Sequence, residues 1–240
     1  MPETPLPLIL SLETATGCGS VALTKGGVRN GKILAEATAQ PEITHSRRLL
    51  GSVEWVMQAA GIDWDKLDGI AISLGPGSFT GLRIGMAAAK GIVLASQKPL
   101  IGAQTLDAIA LSCPLIDRPL WCLLDARKQE VYAACYQAGP SGLPERCSSV
   151  EALLPKNLLK KINGPALLAG PGVKEYHDLF AAQQLLQLIP PALTSPCAAR
   201  IGFLAAGQLL CGETLDPATI APMYVRASEA EVNLQKKNGS

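Results

Sequence analysis

Two short polar turns and one glycine-rich segment hold the residues of this 240-residue chain that could do chemistry. The first turn is Glu13-Thr14-Ala15-Thr16-Gly17. It is small, polar and glycine-bearing, and backbone amides in such a turn can cradle an anion. Ordinary hairpin turns that bind nothing have the same composition. The second turn is Asp125-Ala126-Arg127. A carboxylate and a guanidinium two residues apart usually hold a turn together; a second phosphate-facing loop is the functional alternative. Glu13 and Asp125 are thus the candidates for a carboxylate poised at a phosphate. Metal chemistry has little to stand on. The two histidines, His45 and His177, are far apart in sequence, and Asp63, Asp65 and Asp68 lack the glycine and closing glutamate of a calcium loop. Asp63 reads better as a helix cap.

The glycine-rich segment runs from Ser73 to Gly91. Gly69 to Leu74 is a short apolar run with the look of a buried strand. Gly75-Pro76-Gly77 turns the chain, and Ser78 or Thr80 can accept a hydrogen bond from the first amides of a following helix. In that helix Gly81, Gly85 and Ala89 stand four apart, and Ala88 and Ile92 continue the same side. Glycine inside a helix costs about 1 kcal/mol relative to alanine, so three of them imply close backbone approach. Either the chain's own sheet or another protein packs on this face.

The elements around these segments follow from hydrophobic spacing. Leu6 to Leu12, Ser20 to Lys25 and Lys32 to Ala39 read as an antiparallel meander. Leu49, Val53, Val56, Met57 and Ala60 make the core stripe of a helix over Ser46 to Ala60. Trp55 lies opposite that stripe, beside Arg48, Gly51 and Ser52, which suits a docking surface or a site covered by the chain's own loop. The glycine-rich helix spans Thr80 to Ala95. Pro99 to Ala103 is a strand, and Gln104 opens another helix. Leu120 to Leu124 and Glu130 to Tyr136 are paired strands, Gln137 to Glu145 a Gly/Pro loop, Ser149 to Lys161 helical and Ala166 to Ala169 a strand. Ser195 to Leu210 is a long helix.

Composition narrows the function classes. A hydrophobic fraction of 48% supports real cores, and a net charge of +1 argues against a chain that grips nucleic acid alone. The longest apolar runs are about half a membrane span, and Met1 to Pro5 lacks the basic start of a signal peptide. The seven cysteines contain no Cys-x-x-Cys pair and read as small core residues in a reducing cytoplasm.

From Gly75 to Gly85, Gly-Pro-Gly-Ser-Phe-Thr-Gly-Leu-Arg-Ile-Gly resembles the signature of the bacterial TsaB (YeaZ-like) proteins. Leu10 to Thr16, Asp125 to Tyr132 and Pro222-Met223-Tyr224-Val225-Arg226 resemble further segments of that family, in order along the chain. The resemblance implies an α/β, actin-like ATPase (ASKHA) fold with two lobes, each a mixed sheet flanked by helices. It divides the chain into residues 1–103 and 104–240, with the last helix able to fold back on the first lobe. It implies a non-catalytic subunit that pairs with a TsaD-type catalytic homologue, alongside a TsaE-type ATPase, to make N6-threonylcarbamoyladenosine in tRNA. Docking would use the first two helices, placing Arg48, Gly51, Ser52, Trp55, Gly81, Gly85, Ala88, Ala89 and Ile92 at the contact. Glu13, Thr14, Thr16, Asp125 and Arg127 would be vestigial nucleotide loops. No cofactor is implied beyond weak ATP or ADP binding in or near the interface, and self-association of the free chain is left open. Glu13 stands where kinase-type loops carry an aspartate. Laying the TsaD pattern on this chain puts Thr105 and Ile109 in the positions of two metal-binding histidines, so no metal is expected. The competing reading is a stand-alone actin-like ATPase or sugar kinase.

Overall fold

The structure, a computed structural model, describes residues 6–39, 45–114 and 116–225; of residues 45–48 it describes the backbone alone. The first half holds β1 (Leu8–Glu13), β2 (Gly19–Lys25), β3 (Lys32–Ala39), α1 (His45–Ala60), β4 (Gly69–Gly75), α2 (Phe79–Ser96) and β5 (Leu100–Gln104). A single 3-10 turn, Trp64–Lys66, precedes β4. The second half holds α3 (Thr105–Ala110), β6 (Leu120–Asp125), β7 (Val131–Ala138), β8 (Pro144–Arg146), β9 (Glu151–Leu153), α4 (Pro155–Lys161) and β10 (Ala166–Ala169). It continues with α5 (Gly172–Glu175), α6 (His177–Ala181), β11 (Leu186–Leu188), α7 (Pro191–Thr194) and α8 (Ala198–Leu210).

The two sheets repeat one path. In the first, the order is β3-β2-β1-β4-β5, with β1 antiparallel to β2 and parallel to β4. In the second, β6 takes the place of β1: β7 and β8 lie on its antiparallel side, β10 and β11 on its parallel side. A hairpin can join antiparallel neighbours, whereas a parallel neighbour needs a crossover. Accordingly α1 bridges β3 to β4, α2 bridges β4 to β5, and α5 and α6 bridge β10 to β11. This duplicated arrangement is the actin-like ATPase fold, two mixed sheets flanked by helices.

Alternation along β1 shows why both faces of the first sheet are covered. Leu8, Leu10 and Leu12 pack with Val53, Val56, Met86 and Val93 of α1 and α2. Ile9 points the other way, to Ile201, Ala205 and Ala206 of α8. The last long helix therefore lies on the first sheet. Its first amides are satisfied from that sheet: Ala198 N donates to Ser20 Oγ (2.6 Å) and Ala199 N to Glu36 Oε1 (3.1 Å). A helix start needs such acceptors, and the N-cap Cys197 supplies none from its own side chain. In the second sheet, Leu120, Cys122 and Leu124 face α3, while Trp121 and Leu123 face Leu158, Val173 and Phe180.

Two local readings change, and a third point bears on α2. The helix expected over Ser149 to Lys161 begins only at Pro155, because residues 151–153 pair with β7 instead. Proline suits the first turn of a helix, where its missing N–H is no loss. The loop expected over Gln137 to Glu145 ends in β8, which pairs with β7. Finally, α2 has the length and apolarity of a membrane span, but its inner face lies in the core of the first sheet.

Candidate functional site

At the end of β1 the chain buries a carboxylate. Glu13 is fully buried; its Oε1 accepts from Ala15 N at 2.5 Å, while its Oε2 meets no hydrogen-bond partner. Burial lifts its pKa from 4.5 to about 7, and the Ala15 amide opposes the rise only in part. Thr14 Oγ1 beside it is likewise buried and unpartnered. Two amides of the turn are engaged within it. Ala15 N serves Glu13, and Cys18 N donates to Thr16 Oγ1 at 3.4 Å. The Ala15 carbonyl in turn accepts from Ser78 N at 2.6 Å, tying the turn to the start of α2.

The second turn is closed in the same way. Arg127 N donates to Asp125 Oδ1 (2.8 Å), Ala126 N to Glu130 O (3.0 Å) and Glu130 N to Arg127 O (3.0 Å). The Arg127 guanidinium reaches Asp125 at 3.5 Å while remaining mostly exposed, a geometry worth little energetically. The Asp125 carboxylate and the backbone bonds of the turn therefore close the hairpin, and the Arg127 side chain adds little.

The glycine helix corrects the interface expected from its spacing. A Cβ at Gly81 would overlap the Thr14 carbonyl oxygen, and one at Gly85 would overlap Thr14 Oγ1 and lie 3.1 Å from Ile72 Cδ1. Ala89 is fully buried in the first core. Gly81, Gly85 and Ala89 thus face the chain's own sheet and are closed to a partner. The glycines let α2 settle on the first turn, with Ser78 Oγ accepting from Gly81 N at 3.2 Å.

The outward side of α2 carries a second row of small residues in the same spacing: Ala87, Gly91 and Ala95, all exposed. A Cβ at Gly91 would meet open space, as would one at Gly51 on α1. Between α1 and α2 runs a groove of about 610 Å³, walled by Leu50, Glu54, Trp64, Gly91 and Ala95, with Val53, Ala88 and Ile92 deeper. Of its walls, Leu50 and Trp64 are 56% and 43% exposed. So Ala88 and Ile92 belong to this surface, whereas Trp55, 53% exposed, does not line the groove. Ser52 is half-buried on α1, and the Arg48 side chain is outside the described residues. Trp64, on the 3-10 turn before β4, is not among the residues that spacing in the sequence singles out. Four-residue spacing alone cannot say which of two small rows faces inward.

Comparison with known proteins fits this geometry. The family model described as "TsaD: tRNA N6-adenosine threonylcarbamoyltransferase" matches residues 32–234. The chain is similar to the tRNA threonylcarbamoyladenosine biosynthesis protein TsaB of Escherichia coli (strain K12), with 30% identity covering 95% of this chain and 99% of that protein. The chain belongs to the TsaB family. TsaB of Bacillus subtilis (strain 168) is 25% identical over 93% of this chain and 96% of that protein. The solved structure of YeaZ from Pseudomonas aeruginosa superposes with a TM-score of 0.74 at 27% identity, covering 91% of this chain and all of that one.

In this TsaB-family chain three of the four recognised segments converge on the start of α2, and the fourth, Asp125 to Tyr132, stays in the β6–β7 hairpin. The Glu13 turn packs under Gly81, and the C-terminal segment closes from the other side. Met223 N donates to Leu74 O at 2.7 Å; Tyr224 stacks on Phe79 with ring centroids 5.2 Å apart. The Arg83 guanidinium lies 3.9 Å from the Phe79 centroid and donates to Tyr224 Oη at 3.2 Å. Arg226 is outside the described residues. Thr105 and Ile109, the positions laid against metal-binding histidines, are both fully buried. Ile109 belongs to the second lobe's apolar core. His177 stands on the surface 3.3 Å from Asp178. Among the described residues no group of His, Cys, Asp or Glu side chains is arranged to hold a metal. Purified protein is expected to carry no stoichiometric zinc or iron; elemental analysis finding about one ion per chain would contradict this.

Proposed function

We propose that the chain is a non-catalytic partner subunit in the synthesis of N6-threonylcarbamoyladenosine on tRNA. It docks a TsaD-type catalytic homologue on the outer face of α1 and α2 and supports transfer by that partner, with a TsaE-type ATPase joining the assembly. In this reading it carries no cofactor of its own, works in the cytoplasm and meets tRNA only through the complex. The observation that carries the proposal is the uncovered groove face. Leu50 and Trp64 are large, apolar and exposed on the groove walls beside Gly91, and a contiguous apolar patch of this kind marks an interaction site. The names of the relatives support the pathway. The internal hydrogen bonds made by Ala15 N and Arg127 N in the two polar turns support the absence of independent phosphate chemistry.

Reconstitution tests the proposal. The catalytic homologue from the same cell should modify tRNA poorly alone and well once this chain is added, and the isolated chain should not turn over ATP. Trp64→Ala should lower the apparent affinity of the pair roughly thirtyfold, the loss of about 2 kcal/mol typical of an aromatic anchor. ATP turnover by the chain alone, with no effect on the homologue, would favour an independent actin-like ATPase or kinase.

A further inference from the structure

Cysteines expected to be inert core residues include one accessible pair. Cys135 stands on β7, and Cys147 lies one residue beyond β8. The Cys147 amide donates to the Cys135 carbonyl at 2.9 Å, and the next pair in register is Tyr136 opposite Arg146. Directly opposed residues of an antiparallel ladder put their side chains on one face. A pair that exchanges both bonds has Cα atoms about 5.5 Å apart, inside the span of about 4.4–6.8 Å that a disulfide bridges; here one of the two is made, since Cys135 N donates instead to Ser148 Oγ at 2.8 Å. The thiols also sense one another: burial chiefly, and Cys147 next, push Cys135 up to about 12. Cys147 is exposed and Cys135 nearly covered. The pair therefore has an entry sulfur and a sheltered one behind it.

We propose that Cys147 and Cys135 form a reversible thiol–disulfide site that takes a small disulfide such as oxidised glutathione. The Cys147 thiol gives its proton to solvent, and its thiolate attacks one sulfur of the small disulfide. That S–S bond breaks, a mixed disulfide forms on Cys147, and one small thiolate leaves and takes up a proton. The Cys135 thiol then loses its proton and attacks Cys147 Sγ, expelling the second small thiol. Two protein thiols are oxidised to one disulfide, and one small disulfide is reduced to two thiols. Once Cys147 carries the adduct, its charge no longer opposes ionisation of Cys135. Excess small thiol reverses both steps. The new bond would fasten the short β8 to β7 beside the pair that grips α3, where Tyr136 Oη donates to Asp107 Oδ1 at 2.7 Å and Arg146 approaches the same carboxylate at 3.8 Å.

The test is oxidation of the full, folded chain with oxidised glutathione, alkylation of remaining thiols, and non-reducing peptide mapping. Wild type should yield a 135–147 cross-linked peptide that disappears with reduced glutathione. Cys135→Ala should instead accumulate a glutathione adduct on Cys147, and Cys147→Ser should give neither product at these positions. Exposed Cys211 is the internal control for accessibility. The proposal fails if wild type holds a persistent adduct on Cys147 with Cys135 alkylated. It also fails if Cys211 is modified while Cys147 stays reduced.

Discussion

Gly85→Leu should destabilise the isolated chain rather than merely weaken a docking contact. Spacing along the helix does not say which way this position faces. In the fold its α-carbon rests on Thr14, and any Cβ meets the threonine side chain and Ile72. Overpacking of this kind costs about 1–3 kcal/mol, which in a chain of this size lowers the melting temperature by about 2–4 °C per kcal/mol. Leucine, with three further carbons to place, belongs at the upper end. Gly81→Ala should be harmful for a different reason. There the obstacle is the backbone carbonyl of Thr14, which cannot rotate away. Thermal denaturation checks both. If Gly85→Leu melts like wild type, α2 does not sit on the first turn as described.

The second large effect concerns Glu13 and pH. Its pKa is 4.5 when unfolded and about 7 when folded. Between those values the folded state binds more protons than the unfolded state, so stability falls as pH rises. The stability associated with the protonated carboxyl is fully present below pH 4.5 and is lost as pH climbs through about 7. At about 1.4 kcal/mol per pH unit, the whole change is about 3 kcal/mol. Glu13→Gln removes the ionisation and keeps the oxygen that accepts from Ala15 N. Its amide also offers a donor to the buried Thr14 hydroxyl, which has no hydrogen-bond partner. The variant should gain on wild type as pH is raised from 5 to 8, and the difference between their melting curves isolates this one group. A difference that does not change with pH would mean that Glu13 ionises freely in the fold.

Much of this architecture was legible in the sequence, for identifiable physical reasons. The meander, α1 and the strand–turn–helix at Gly75 announce themselves through alternation, helical spacing and glycine punctuation, which are local signals. The short strands β8 and β9 do not. Residues 144–146 and 151–153 carry no alternation of their own and become strands only because β7 offers them an edge. The same limit applied to the site. Spacing identified α2 as a helix with small residues but could not orient it, because Gly81-Gly85-Ala89 and Ala87-Gly91-Ala95 repeat alike. The deciding contact, Thr14 against Gly85, joins residues 71 apart in sequence. Trp55 drew attention as an outward aromatic, yet the tryptophan that lines the groove, Trp64, lies on a 3-10 turn whose position depends on the packing of α1 and β4.

The central claim, that the outer face of α1 and α2 is the docking surface, is tested most directly at Gly91. A Cβ there meets open space in the free chain, and replacing an exposed helical glycine stabilises the helix by up to about 1 kcal/mol. Gly91→Leu should therefore fold at least as well as wild type. Against a closely packed partner helix the same leucine is an obstruction costing about 1–3 kcal/mol, a roughly five- to hundredfold loss of affinity. The measurement is a calorimetric titration of the catalytic homologue with wild type and with Gly91→Leu, each first shown to melt normally. The account predicts a well-folded variant that binds the homologue at least fivefold more weakly. Undiminished affinity in a well-folded Gly91→Leu chain would place the docking surface elsewhere.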